Sequence, residues 1–225
     1  AENILGVLTG RTASVWPLLA NSSVITVVSL LLAVLGAAML AFFLNRSPAW
    51  ASQIVLPLLL VGLMLPAQTF LIPLTQILRG WGLMGTLPGL LLFNVGYYIP
   101  FAVLLFIGSL KSIPRQIDEA AQLDGAGSFR IFFQIYLPLM KPALVSVVII
   151  VGVWIWNDFL NPLIILGPAT GTTVTVGIYR SIGQYQSDYG AVFALSLIAM
   201  LPVILVFLAL QRYFVKGLTS GGVKG

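Results

Sequence analysis

From Val24 to Leu44 the chain runs for 21 residues without a charged side chain. At about 1.5 Å of rise per residue, a helix of that length crosses the roughly 30 Å hydrocarbon core of a bilayer. Four more apolar runs follow, from about Ile54 to Ile72, Leu87 to Leu110, Pro142 to Trp156 and Gly190 to Leu210. Only 8% of the residues are charged, whereas a soluble domain carries about a quarter. Inside hydrocarbon no water is available to the backbone, so each spanning segment must satisfy its own N–H and C=O groups. Long apolar runs therefore specify helices. The expected fold class is all-α, a polytopic transmembrane helix bundle with five visible spans.

The interruptions set the organisation. Asn21-Ser-Ser opens the first run and Asn45-Arg-Ser-Pro48 closes it. Residues 1 to about 21 are mixed and lack the charged start and unbroken apolar core of a signal peptide. Pro57 and Pro66 are expected to kink the second run, and Pro73 to Thr86 to form a loop. The stretch from Asn157 to Tyr189 is polar and rich in Gly, Thr and Ser, with an apolar patch at Pro162 to Leu166. No internal repeat or linker is evident, so residues 1–225 read as a single transmembrane domain.

What is missing excludes much chemistry. There is no cysteine and no histidine, which removes the usual zinc sites and the Cys/His and Ser/His catalytic arrangements. No catalytic residue and no metal ligand is expected. There is no G-x-x-x-x-G-K-[ST] phosphate cradle either. The spans hold essentially no carboxylates, whereas proton- and sodium-coupled carriers place ionisable groups at the midplane. The net charge of +5 reads as cytoplasmic loop charge rather than as a nucleic-acid surface.

The longest polar interruption is Glu119-Ala-Ala-Gln-Leu-Asp-Gly125, which with Asp118 holds three of the six acidic residues, followed by Ile135-Tyr-Leu-Pro138. Its local chemistry predicts a helix, a turn and a second helix. Ser112 is a candidate N-cap and Pro114 suits a first helical turn. Ile113, Ile117, Ala120 and Ala121 fall at helical spacing on one face, with Arg115, Gln116, Glu119 and Gln122 on the others. Gly125 and Gly127 break the helix. Ser128 is a candidate cap for a second helix, Phe129 to Leu137, interrupted by Pro138. The alanine face is small and flat, which suits close approach of another protein. Glu119 also stands at i, i+4 from Arg115, the spacing of an ordinary intrahelical ion pair.

E-A-A, three residues, G, nine residues and I-x-L-P resembles the signature loop of the integral-membrane subunits of type I binding-protein-dependent ABC importers. Glu119, Ala120, Ala121, Gly125, Ile135, Leu137 and Pro138 match without a gap. The resemblance implies that the loop, about 111–141, is a coupling helix that docks on a cytoplasmic ATPase. The implied docking residues are Glu119, Ala120, Ala121, Leu123, Asp124, Gly125 and Gly127. The cluster Trp156-Asn-Asp-Phe-x-x-Pro162 resembles the carbohydrate-uptake branch, specifically the smaller maltose-type permease subunit. The closing Gly217 to Gly225 resembles that branch's tail, which approaches the ATPases.

Those resemblances carry a set of expectations. The chain would translocate a sugar or oligosaccharide by alternating access across a bacterial or archaeal cytoplasmic membrane. It would pair with a second permease subunit, as a heterodimer, within membrane lipid. Two ABC ATPases would supply ATP and Mg, and an extracytoplasmic solute-binding protein would deliver cargo. This chain itself would bind no cofactor and no nucleic acid. A polyol or glycerol phosphate is the alternative cargo, and a secondary carrier or a membrane enzyme the alternative class.

For a substrate path the candidates are Asn94, Tyr97 and Tyr98 on the third span and Asn157 and Asp158 after the fourth. Aromatic rings stack on sugar faces and amides bond hydroxyls. For the first three, helix–helix hydrogen bonding inside the bundle is the favoured reading. Trp154 and Trp156 suit an interfacial aromatic belt equally well. Gly85-x-x-x-Gly89 matches a helix-dimer motif, but Pro88 and a loop position argue against that role.

Lysine and arginine orient the spans. With the signature loop in the cytoplasm, inside segments hold Arg46, Lys111, Arg115, Arg130, Lys141, Arg212, Lys216 and Lys224. Outside segments hold only Arg11, Arg79 and Arg180. Residue 1 is then external and the C-terminus cytoplasmic. Nothing near residue 1 would export it, and the resembled family has a further N-terminal helix, so a preceding span is expected to be missing.

Overall fold

The computed structural model describes residues 2–9, 15–167, 172–182 and 189–222. Side chains are described for all of these except residues 2–4, 115, 191 and 210–222. The described elements are helices: α1 (Glu2–Leu8), α2 (Val15–Arg46), α3 (Ala49–Met64), α4 (Ala67–Gly80), α5 (Leu87–Leu110) and α6 (Arg115–Leu123). They continue as α7 (Ser128–Leu139), α8 (Lys141–Asn157), α9 (Leu160–Leu166), α10 (Val174–Arg180) and α11 (Tyr189–Gly222).

Among the described residues, three segments are long and apolar enough to cross a membrane unaided: α2, α5 and residues Val192–Ala209 of α11. The count reaches five if each of two bent pairs is one span. These pairs are α3 with α4, bent by 100°, and α7 with α8, bent by 76°. Their outward side chains agree with a lipid surround. Leu31, Leu32, Ile54, Leu58, Leu205 and Phe207 are all exposed, an arrangement that is costly in water and comfortable in hydrocarbon.

Several boundaries differ from the sequence expectation. Residues Pro73 to Gly80 are helical rather than loop, and Pro73 lies inside α4. Pro57, Pro100 and Pro202 also lie inside helices, whereas the break falls at Leu65–Pro66. Pro66 lacks an N–H but its carbonyl accepts from the Thr69 N–H at 3.0 Å, starting α4 anew. Pro138 does not interrupt the loop's second helix. It sits at the start of a last turn, after a π-helical stretch at Phe132–Tyr136, and the bend comes at Met140. The first long helix, α2, starts at Val15, ahead of Asn21, and the last continues to Gly222.

The chain divides into two compact units. The first gathers the described residues within 1–29, 70–94 and 152–209. Its buried apolar cluster is Val7, Val15, Ala194, Leu195 and Ile198, with Leu8, Leu18, Leu19 and Ile178 packed against it. The turn ahead of α5 belongs here. Gly85 has φ +77° and donates its N–H to the Ile165 carbonyl at 2.8 Å. A Cβ on Gly89 would meet the Leu83 carbonyl oxygen at 2.2 Å. Both glycines of the G-x-x-x-G match therefore serve a close turn.

The second unit gathers the described residues within 30–69, 95–151 and 210–225. Ala33, Ala37 and Ala41 recur every fourth residue along α2 and are fully buried. Small side chains at that spacing let a neighbouring helix approach closely. Also buried in this unit are Val103, Phe106 and Leu110 of α5, and Ile131, Phe132, Tyr136 and Met140 of the loop region.

Candidate functional site

The polar loop forms the expected helix, turn and helix. Its start is not capped as expected: the Ser112 hydroxyl donates backward to the Ser109 carbonyl at 2.7 Å. Pro114 occupies the N-cap position, with no side-chain cap. Likewise Gly127, and not Ser128, stands at the N-cap of α7. The end of α6 is a complete Schellman motif. The Gly125 N–H donates to the Gln122 carbonyl and the Ala126 N–H to the Ala121 carbonyl, each at 3.0 Å. Gly125 takes the left-handed φ of +74° that this motif requires.

The expected docking residues separate by burial. Glu119, Ala120, Asp124, Gly125 and Gly127 are exposed, and Leu123 is 89% exposed. Ala121 is only 7% exposed and packs inward. The two alanines therefore do not share an outer face. Ala121 seats the helix, and Ala120 is on its open side. The side chain of Arg115 lies outside the described residues, so its pairing with Glu119 is not defined.

Two further groups belong to this surface and carried no sequence signal of their own. Phe129 is 70% exposed and stacks on Phe133, with ring centroids 6.2 Å apart. Leu123, Phe129 and Phe133 thus leave apolar side chains exposed on the same loop that carries the exposed Glu119, Asp124 and Arg130. The second group is an ion pair, Arg46 Nε to Asp118 Oδ2 at 3.2 Å. It joins the last residue of α2 to the first turn of α6.

The substrate-path candidates divide between the two units. Asn94 is 1% exposed and donates from Nδ2 to the Ser29 hydroxyl at 3.0 Å. This is a buried bond between α5 and α2. Its Oδ1 has no partner among the described residues. In the other unit Tyr97 and Tyr98 meet edge to face at 5.2 Å, with Tyr98 buried and Tyr97 half-buried.

Asn157 is exposed and donates to the Val153 carbonyl of its own helix at 2.8 Å. Asp158 is half-buried and committed to Asn161. Its Oδ2 accepts from the Asn161 amide at 2.8 Å and its Oδ1 from the Asn161 backbone N–H at 3.3 Å. Burial pushes the Asp158 carboxyl above the usual carboxylate range, and the bonds from Asn161 oppose that rise.

Around Asp158 the first unit builds a polar knot. The Thr175 hydroxyl donates to the Asp158 carbonyl at 2.7 Å. Ser22 Oγ accepts from the Val174 N–H at 2.9 Å, and Thr173 Oγ1 from the Val176 N–H. The Asn21 amide donates to the Thr172 carbonyl, and Arg180 to the Thr172 hydroxyl and the Gly167 carbonyl. The Trp156 indole donates to the Ala199 carbonyl at 3.1 Å, whereas Trp154 is exposed.

No group of three or more His, Cys, Asp or Glu able to hold a metal occurs among the described residues. For the Gly217 to Gly225 tail, the backbone is helical to Gly222, and residues 223–225 lie outside the described residues.

Residues 33–220 match the family described as binding-protein-dependent transport system inner membrane component. The sequence is similar to the melibiose/raffinose/stachyose import permease protein MelC of Bacillus subtilis, 36% identical over 91% of this chain and 75% of the relative. It is equally similar to the multiple sugar-binding transport system permease protein MsmG of Streptococcus mutans, 36% identical over the same two shares. In fold it resembles a chain of a bacterial ABC transporter involved in import of the acidic polysaccharide alginate. The TM-score is 0.81 at 21% identity, covering 94% of this chain and 79% of that one. A chain of the inward-facing MetNI methionine ABC transporter aligns at TM-score 0.62 and 18% identity, over 96% and 99%.

Proposed function

This chain belongs to the binding-protein-dependent transport system inner membrane components, and we propose that its cargo is a sugar or oligosaccharide. It is a multi-pass, membrane-spanning permease subunit of an ABC importer. The observation that carries the cargo is the similarity, across nine-tenths of the chain, to permeases named for melibiose, raffinose and stachyose and for multiple sugars. A relative 34% identical is named for diacetylchitobiose.

The mechanism places ATP outside this chain. It has no phosphate cradle, so hydrolysis belongs to partner ATPases with their own Mg, and this subunit converts their closure into movement. The α6–α7 loop is the converting surface. Leu123, Phe129 and Phe133 offer apolar anchors, with Glu119 and Asp124 as charged neighbours. Exposed apolar groups ringed by charge suit a protein partner. Docking biases transport only by as much as it favours one state of the permease over the other. A second permease subunit completes the path, as a heterodimer, and an extracytoplasmic binding protein delivers the sugar.

The experiment is uptake by the complete importer in proteoliposomes, with its second permease, ATPases and binding protein. We expect ATP-dependent uptake of labelled raffinose or a related oligosaccharide. Uptake of glycerol phosphate with no sugar uptake would replace the cargo. Uptake by this chain without ATPases would replace the class.

The docking role of Glu119 has its own check. Glu119→Lys should release the ATPase from detergent-solubilised complexes, with rescue by a reversed charge on the ATPase. If Glu119 only pairs with Arg115, a bond worth about 0.3–0.5 kcal/mol, then Arg115→Glu with Glu119→Arg should restore full function. That result would end the docking assignment.

A further inference from the structure

The end of α2 grips both helices of the coupling loop, through side chains one turn apart. Arg46 is the last residue of α2, where a cation complements the negative end of the helix dipole. Asp118 lies in the first turn of α6, where an anion complements the positive end. The two meet at 3.2 Å, with side chains only 23% and 15% exposed. The Gln122 amide donates to the same Asp118 oxygen at 3.1 Å.

Below the ion pair, the Arg46 guanidinium lies over the Phe42 ring, 5.0 Å from its centroid. Phe42 packs against Phe132 at 5.3 Å and edge-on to Tyr136 at 4.9 Å, and both belong to α7. All five of these aromatic and charged residues sit in the second unit, and Phe42, Phe132 and Tyr136 are buried. A displacement of α6 therefore pulls on Asp118 and Arg46. A displacement of α7 pulls on the same turn of α2 through Phe42.

We propose that the Arg46–Asp118 ion pair, seated on Phe42, is the positioning element that passes movement of the coupling helix into the first long span. The inference rests on the importer reading and extends it. Glu119 and Leu123 face outward to the partner, and Asp118 faces inward to α2. Arg46 and Asp118 are positioning residues, since neither touches cargo or nucleotide.

Two measurements test this separately from the importer reading. The first uses this chain alone in lipid nanodiscs, by hydrogen exchange of the α6 amides. Arg46→Gln and Asp118→Asn should each speed that exchange by about tenfold, as expected for local opening of a segment that has lost its anchor. Unchanged exchange in both variants overturns the clamp, whatever the importer does.

The second measures cargo imported per ATP hydrolysed by the complete importer in proteoliposomes, at matched subunit content. Each single variant should lower that ratio, and Arg46→Gln with Asp118→Asn should do no worse than either alone, since paired groups are not additive. Arg46→Lys should recover part of the ratio, keeping the charge but losing the planar stack on Phe42. An unchanged ratio, or losses that multiply in the double variant, overturns the proposal. Wild-type importer that fails to transport would count against the importer reading instead, and the exchange result would still judge the clamp.

Discussion

Gly125 shows how one backbone angle fixes a surface. With φ at +74° it closes the Schellman turn that ends α6, and no atom lies within 4 Å of the Cβ it lacks. A side chain there has room but is strained, by about 1–2 kcal/mol for a left-handed L-residue. Gly125→Asp should therefore leave the protein in the membrane while lowering uptake and binding-protein-stimulated ATP hydrolysis. Gly125→Asn should be milder, because Asn tolerates this angle. Normal uptake by Gly125→Asp at normal abundance would remove the turn from the coupling mechanism.

Asp158 makes a different argument at the same scale. Its carboxyl is raised by burial above its ordinary value, so the folded protein holds the proton more tightly than the unfolded chain. The stabilisation is then fully present below the unfolded pKa and is lost as pH rises through the folded one. Acidification through that window should raise the thermal stability of the wild type relative to Asp158→Asn. Parallel stability profiles for the two proteins would show that the carboxyl is not perturbed.

At the scale of elements, what was legible in the sequence was punctuation. Gly125 and Gly127 end α6 and set off α7 because glycine reports a backbone need directly. The apolar runs became helices because hydrocarbon leaves a long run no other way to satisfy its backbone. Proline was ambiguous. Pro66 stands at a 100° break, while Pro73, seven residues later, is carried inside α4. Neighbouring packing decides between the two, and residue type alone does not.

The identities of side-chain partners were not legible. Arg46 counted only as loop charge, and its partner Asp118 only as an acidic residue. Ser22 lies 152 residues from the Val174 N–H that it accepts. That bond covers the first N–H of α10, which has no partner within its own helix. Both groups are buried, so Ser22→Ala should cost about 1–3 kcal/mol and speed hydrogen exchange at Val174. Unchanged exchange there would mean that the helix start is held by other means.

For the whole molecule the open quantity is the parity of crossings. Among the described residues, three unbroken segments and two bent pairs give five crossings if each pair traverses, and four if one pair is re-entrant. Five put the two ends of the chain on opposite sides, and four put them on the same side. Charge bears on one pair only. With the α6–α7 loop inside, a re-entrant α7–α8 pair would place Arg180 inside and Arg212, Lys216 and Lys224 outside, cutting the excess to six against five, whereas a re-entrant α3–α4 pair only exchanges Arg46 for Arg11 and leaves it at eight against three. The chain has no native cysteine, so Thr9→Cys and Gly222→Cys can be read singly with an impermeant thiol reagent. In intact cells Thr9→Cys should label, and Gly222→Cys should label only after permeabilisation. Labelling of both or neither in intact cells makes one bent pair re-entrant, and labelling of Gly222→Cys alone inverts the protein. Labelling of Gly222→Cys in intact cells, alone or with Thr9→Cys, would move the chain's C-terminal end away from the side proposed for the ATPases.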